Sequence, residues 1–379
     1  MLFHQCTPTC PGDCPDKSPV HVQDAARRKA RTFTVDLHCH AFFPEVEKLV
    51  AGLPQKLAEP ELMLKALGME TVDYNNRVML PQAGPKLTNL QQRLGDMDVM
   101  GVDMQLVSPT STQHYYWAEP DLAVEVVRIQ NEAMAELCAT HPDRFLGLGT
   151  LALQHPVLAI EQLEHAVRKL GLRGVEISTM VSGKELADPM FERFWAKVEE
   201  LGCIVFIHPF GTTLGARLDR HYLSNVIGQP LETTIALSHL IFGGVLDRYP
   251  GVKILAAHGG GYLPAYIGRS NHAWHARPDA RNCARPPGDY LRQIWFDNLV
   301  YEPEALRHLV QEAGIGQIVT GSDYPFDMGQ YVFSDLLELV PGLSQDDREG
   351  IAYRNAERLL GQGLKPADWK PPVKHSADR

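Results

Sequence analysis

Val35-Asp36-Leu37-His38-Cys39-His40 is a short apolar run that ends in two histidines one residue apart. On an extended strand, residues i and i+2 project from the same face. The spacing predicts that His38 and His40 present both imidazoles in one direction, where a strand over residues 32–38 runs out. Two neutral imidazoles side by side suit a divalent cation, zinc above all. Completing such a site takes further ligands from elsewhere in the chain.

The chain has 379 residues, 44% hydrophobic and 22% charged, the balance of an ordinary soluble globular protein. That length suits one large α/β barrel or two average domains. A formal charge of −10 and a pI near 5.9 argue against a polyanion-binding surface, so nucleic acid is not an expected partner. No apolar run reaches bilayer length and residues 1–31 lack the apolar core of a secretory signal, so no membrane association is expected. Of seven cysteines, Cys39, Cys138, Cys203 and Cys283 stand singly and read as the reduced thiols of a cytoplasmic protein. Cys6, Cys10 and Cys14 are evenly spaced but form no C-x-x-C pair, and read as an incidental cluster.

Residues 1–31, rich in Pro, Asp, Cys and Arg without a periodic apolar face, read as a flexible N-terminal arm. After the first strand comes a long stretch, Ala41–Asn89, expected to be irregular apart from a helix over Glu59–Leu67. A regular alternation then begins. Apolar strand-length runs at 103–108, 145–151, 174–178, 203–208, 252–258, 294–299 and 317–323 are separated by amphipathic helical segments. Buried strands alternating with helices imply a parallel sheet. Eight such units over residues 32–362 point to a (β/α)8 TIM-type barrel with an insertion after the first strand. A doubly wound sheet fits less well, because no Gly-rich dinucleotide loop follows the first strand. Residues 363–379 read as a polar tail.

In such a barrel the chemistry sits where strands end. Those ends carry His38 and His40, then His208, His258 and Asp323. A single histidine capping a strand is an ordinary core residue; five metal- or proton-handling residues at equivalent heights are not. Three histidines and a carboxylate suit the coordination of one Zn²⁺, and His258 remains as a general acid/base. The fourth strand ends in Glu176-Ile177-Ser178 with no lysine to bridge a second ion, so one metal is expected.

Taken together, His38-x-His40, Ile207-His208-Pro209, Ala257-His258-Gly259-Gly260-Gly261 and Gly321-Ser322-Asp323-Tyr324-Pro325-Phe326 resemble the amidohydrolase superfamily. They are most similar to its branch of non-oxidative decarboxylases, typified by the 2-amino-3-carboxymuconate-6-semialdehyde decarboxylases, and the similarity runs from about Val35 to Gly361. The resemblance implies a carboxy-lyase that releases CO₂ from a conjugated or aromatic acid. His38, His40, His208 and Asp323 would hold the metal, and His258 with Asp323 would move protons. Phe326 would flank the substrate. Arg269 would bind the substrate carboxylate from the neighbouring subunit of a homodimer. The family's second substrate arginine has no clear counterpart, Arg77 being the nearest. Phe210 and Asn225 stand where the aminocarboxymuconate enzymes carry other aromatic residues. A hydrolase of an ester, lactone or amide, or a hydratase of an unsaturated diacid, would use the same five residues.

Overall fold

In the computed structural model, which describes residues 32–370, the alternation of strands and helices resolves into eight parallel strands among the described residues. They are β1 (Val35–Ala41), β2 (Met104–Pro109), β3 (Phe145–Gly147), β4 (Gly174–Ile177), β5 (Ile204–Ile207), β6 (Lys253–Ala256), β7 (Ile294–Asp297) and β8 (Ile318–Val319). β1 to β3 pair in chain order, and so do β4 to β8. Both seams between these sheets are bridged, by Gly149 with Val175 and by Cys39 with Tyr324. Across the same seams, Gly149 N donates to Gly174 O at 2.9 Å and Leu37 N to Thr320 O at 2.8 Å. The strands therefore follow one another around a closed ring, the order expected of a (β/α)8 barrel. The N-terminal arm with its Cys6/Cys10/Cys14 group, and residues 371–379, lie outside the described residues.

Side-chain alternation divides each strand between an interior and an outer, helix-facing side. Leu37, Leu106, Leu146, Phe206, Leu255 and Val319 come from six different strands and form one buried cluster inside the ring. Their neighbours, among them Val205, Ile254 and Phe296, pack outward against the helices. Helix Glu192–Leu201 shows the matching pattern: Phe194, Trp195 and Val198 are buried at 3.6-residue spacing, and Gly202 ends the helix at φ 59°.

β1 departs from strict alternation. Asp36 faces Gln105 and Cys39 faces Val107, so β1 carries one residue more than β2 over this interval, a β-bulge. Before the bulge Val35 and Leu37 belong to the interior cluster; beyond it Cys39 and Ala41 join the outer one. The bulge turns His38 and His40 into the ring. It also lets β1 continue to Ala41, three residues past the end expected from the sequence.

The stretch 41–89 is helical, not irregular. Helices Pro44–Val50 and Pro54–Leu67 each begin with proline, which suits the first helical turn, where no backbone N–H donor is needed. Pro44 and Pro54 start helices, and Pro60 and Pro85 lie within helices. Part of the expected polar tail also packs on the body: Leu364 is buried, and Trp369 meets Phe33 edge-on while its Nε1 donates to Asp103 Oδ1 at 3.0 Å.

Asp36 fastens this arrangement. Its buried carboxylate accepts from His38 N (3.1 Å), Gln105 Nε2 (3.1 Å), Ser322 N (3.0 Å) and Ser322 Oγ (2.6 Å), tying the bulge to β2 and to the loop after β8. Asp36→Ala leaves several buried donors without partners, at about 1–3 kcal/mol each. We expect a loss of about 3 kcal/mol or more in denaturant unfolding; a change below about 0.5 kcal/mol would contradict this role.

Candidate metal centre

His38 and His40 reach the barrel mouth from β1, His208 follows β5 directly, and Asp323 lies in the loop after β8. One ligand atom from each of the four lies within 4.8 Å of the other three. Asp323 Oδ1 is 3.4 Å from His38 Nε2 and 3.3 Å from His40 Nε2. Nitrogen and oxygen ligands at about 2.0–2.1 Å around a tetrahedral centre stand about 3.3–3.4 Å apart. His38 Nε2, His40 Nε2, His208 Nε2 and Asp323 Oδ1 are all buried without a hydrogen-bond partner. Buried polar atoms are costly to leave unpaired. Four of them converging on one point fit a single divalent ion.

The charges around the four atoms are arranged to receive a cation. Burial works against a charged His38, but the Asp323 and Asp297 carboxylates outweigh it and push the imidazole up to about 10. Burial also opposes ionisation of Asp323, yet the His38 charge and the hydrogen-bonding reach of His258, His38 and His40 hold it well below the usual carboxylate range. Asp297 and Glu176 are likewise held low by neighbouring imidazoles against the effect of burial. Burial, reinforced by the charge on His40, drives His208 well below the imidazole range.

Asp297 links the metal cradle to the fifth residue. Its Oδ2 lies 2.7 Å from His38 Nδ1 and accepts from His258 N at 2.8 Å, while Oδ1 accepts from Gly259 N at 2.8 Å. His258 is held at φ 55°, an unusual conformation for a residue with a side chain. Its Nε2 stands 3.6 Å from Asp323 Oδ2. The glycine run that follows is sterically required: at Gly261 (φ +65°) a Cβ would come within 2.0 Å of Pro230 O.

A cavity of about 440 Å³ opens beside these groups, with His258 and Asp323 on its wall among Val226, Tyr262, Leu299 and Met328. Asn225 also lines it. Phe326 lies against the metal cradle, its ring 5.6 Å from that of His40. Arg269 is exposed on helix Ile267–Ala276, outside the cavity lining. Arg77 is also at the surface, where it pairs with Asp73 at 2.8 Å.

Sequence reasoning missed Asp297 and the supporting role of Glu176. A signal for both was present: each is an acid within an otherwise apolar strand, Gly174-Val175-Glu176-Ile177 and Ile294-Trp295-Phe296-Asp297. An ionisable residue on a buried strand is seldom tolerated without partners.

Because a metal needs His38 Nε2 unprotonated, an ion competes with the proton that the surrounding carboxylates hold on this imidazole. Affinity should therefore rise with pH across the neutral range, up to the His38 value of about 10. Calorimetry at pH 7 in buffers of different ionisation enthalpy should show net proton release on zinc binding. Uptake that is pH-independent and releases no proton would contradict these electrostatics.

The amidohydrolase family profile matches residues 35–362. A 2-amino-3-carboxymuconate-6-semialdehyde decarboxylase of Dictyostelium discoideum is 36% identical over 271 residues, covering 71% of this chain and 76% of that protein. A solved 2,6-dihydroxybenzoate decarboxylase from Rhizobium is 25% identical with a TM-score of 0.69, covering 87% of this chain and 99% of that one. The structure of a dihydroxybenzoic acid decarboxylase from Polaromonas sp. JS666, with bound manganese and the inhibitor 2-nitroresorcinol, shares the fold at 24% identity and a TM-score of 0.69, covering 87% and 97% of the two chains. With its barrel strand order and its cluster of histidines and aspartate at the strand ends, this chain belongs to the amidohydrolase family.

Proposed function

We propose that the protein is a metal-dependent, non-oxidative decarboxylase that releases CO₂ from a conjugated or aromatic carboxylic acid. The observation that carries this reading is the pairing of His258 with Asp323, 3.6 Å apart, where an apolar cavity meets the four unpaired ligand atoms. Relatives that decarboxylate aminocarboxymuconate semialdehyde and dihydroxybenzoate support it. A divalent ion held by His38, His40, His208 and Asp323 supplies a Lewis acid that orients a substrate oxygen and offsets negative charge. Zinc is our choice from the three-nitrogen, one-oxygen set, with manganese the alternative that metal analysis would reveal.

The chain's own residues account for the proton and for the electron pair. The apolar walls, with Phe326 beside His40, receive the flat conjugated part of the substrate and exclude water from it. His258, held by Asp297 at its backbone and facing Asp323 with its ring, delivers a proton to the carbon that bears the carboxylate. The bond from that carbon to CO₂ then breaks, and its electron pair restores the conjugation. The four free cysteines among the described residues support placing this chemistry in the cytoplasm.

No lysine or arginine lines the cavity among the described residues, so a carboxylate bound there needs a cation from elsewhere. Our reading assigns that cation to Arg269 of a second copy in a homodimer. Arg269 is exposed and follows the wall residues Tyr262, Pro264 and Ala265 in the chain. A guanidinium fork suits a carboxylate.

Metal-reconstituted protein, screened against aminocarboxymuconate-like and hydroxybenzoate-like acids, should release one CO₂ per acid consumed. His258→Ala should lower kcat by about 10²–10⁴-fold with metal content unchanged. Full activity in metal-free protein, or in the His258→Ala variant, would refute the scheme. Product formed with uptake of water and no CO₂ would instead indicate a hydrolase or hydratase. For the shared site, mixing inactive His258→Ala and Arg269→Ala chains should regenerate activity, because the hybrid dimer holds one intact site. No recovery after demonstrated subunit exchange would contradict the cross-subunit role.

A further inference from the structure

The metal centre presents three histidines through the same ring atom, Nε2, and each must carry its proton on Nδ1 for that to work. For His38 the arrangement is direct, because Nδ1 faces Asp297 Oδ2 at 2.7 Å. His40 and His208 have no such direct hydrogen bond. Each has a serine instead. Ser108 Oγ lies 3.2 Å from His40 Nδ1, and Ser111 Oγ lies 2.9 Å from His208 Nδ1. A serine hydroxyl can donate or accept toward an imidazole, so by itself it leaves the tautomer undetermined.

Glu176 removes that freedom. It is fully buried on β4, at a position where the other strands contribute apolar residues to the barrel interior. Both serines converge on it: Ser108 Oγ donates to Oε2, and Ser111 Oγ donates to Oε1 at 2.9 Å. An ionised carboxylate only accepts. Each serine has one proton, and with that proton directed at Glu176 its lone pair is left facing Nδ1. Nδ1 must then carry the hydrogen, and Nε2 keeps its lone pair for the metal. The competing acceptor for Ser108 Oγ, Cys39 O at 3.3 Å, is a neutral carbonyl. Directly facing Glu176 are His40 Nδ1 at 3.5 Å and His114 Nε2 at 3.4 Å, the latter an imidazole outside the ligand set.

We propose that Glu176 is a positioning residue that fixes the metal-ready tautomer of two ligands at once, of His40 through Ser108 and of His208 through Ser111. Without the carboxylate, either serine can turn its proton toward Nδ1, which places an Nε2–H in the cradle where the cation belongs. Glu176→Gln has a similar effect on one side, since an amide nitrogen forces the serine facing it to accept and so to donate toward its histidine. The proposal rests on the reading of the four residues as a metal site.

The test is zinc affinity, measured by chelator competition on the full-length protein, together with ¹H–¹⁵N spectra of the histidine rings in the metal-free state. His208→Ala serves as the control for the site itself. We expect Glu176→Gln to bind one zinc about 10–100-fold more weakly than wild type. Its spectra should show a loss of the Nδ1–H tautomer at His208, with His38 unchanged. Adding Ser111→Ala to Glu176→Gln should weaken binding by less than Ser111→Ala does alone, because both act along one path. If Glu176→Gln fails to fold, the Ser108→Ala/Ser111→Ala variant, which keeps the carboxylate, should show the same loss of affinity and tautomer. Wild-type affinity and tautomers in these variants, with zinc lost in His208→Ala, would overturn the role of Glu176 and leave the metal site standing. Wild-type affinity in His208→Ala would overturn the metal-site reading itself.

Discussion

Asp323 Oδ1 stands 3.3 and 3.4 Å from two imidazole nitrogens, and all three atoms are buried without hydrogen-bond partners. A folded chain keeps so many unpaired polar atoms together only where something else pairs with them. Much of the architecture around the mouth serves to hold them there. The bulge in β1 exchanges the interior face from Leu37 to His38, so one strand contributes apolar filling below and two of the clustered histidines above. Asp36 holds that bulge from outside the ligand set, and its bonds to Ser322 position the loop that carries Asp323. Asp297 orients the His38 ring and, through the backbone of His258, joins the four-residue cluster to His258.

That these residues meet at the barrel mouth was legible in the sequence because strand periodicity and strand order are legible. His38, His40, His208, His258 and Asp323 each follow or end an apolar run, and the barrel brings such ends together. What escaped was the layer behind them. Asp297 and Glu176 sit inside strands whose apolar neighbours mask them, and their partners come from strands that only the closed ring places next to them. The β1 bulge escaped for a related reason. An extra residue leaves no mark on composition, and it was the i, i+2 rule applied beyond the bulge that gave the correct face for the two histidines. Residues 41–89 depart from the expectation because Pro44 and Pro54 begin helices and Pro60 and Pro85 are accommodated inside helices.

Scaffold and specificity are separable in this molecule. The four-residue cluster is built from strand ends and the loops that follow them, and its facing atoms are buried. The cavity walls come from longer loops and surface helices, where Asn225, Val226 and Tyr262 line the opening. Among the described residues that lining holds the amide of Asn225 and no lysine or arginine. The residues that would select a substrate therefore lie in the loops, apart from the four-residue cluster.

Decarboxylation and its rivals differ in the atoms that water leaves in the product. Turnover of a dihydroxybenzoate by the metal-loaded protein in D₂O enriched in ¹⁸O, followed by mass spectrometry of the organic product, tests the central claim most directly. The account predicts one deuterium on the carbon that carried the carboxylate, with no ¹⁸O incorporated and CO₂ released in equal amount. A product bearing ¹⁸O from solvent, formed without CO₂, would contradict it.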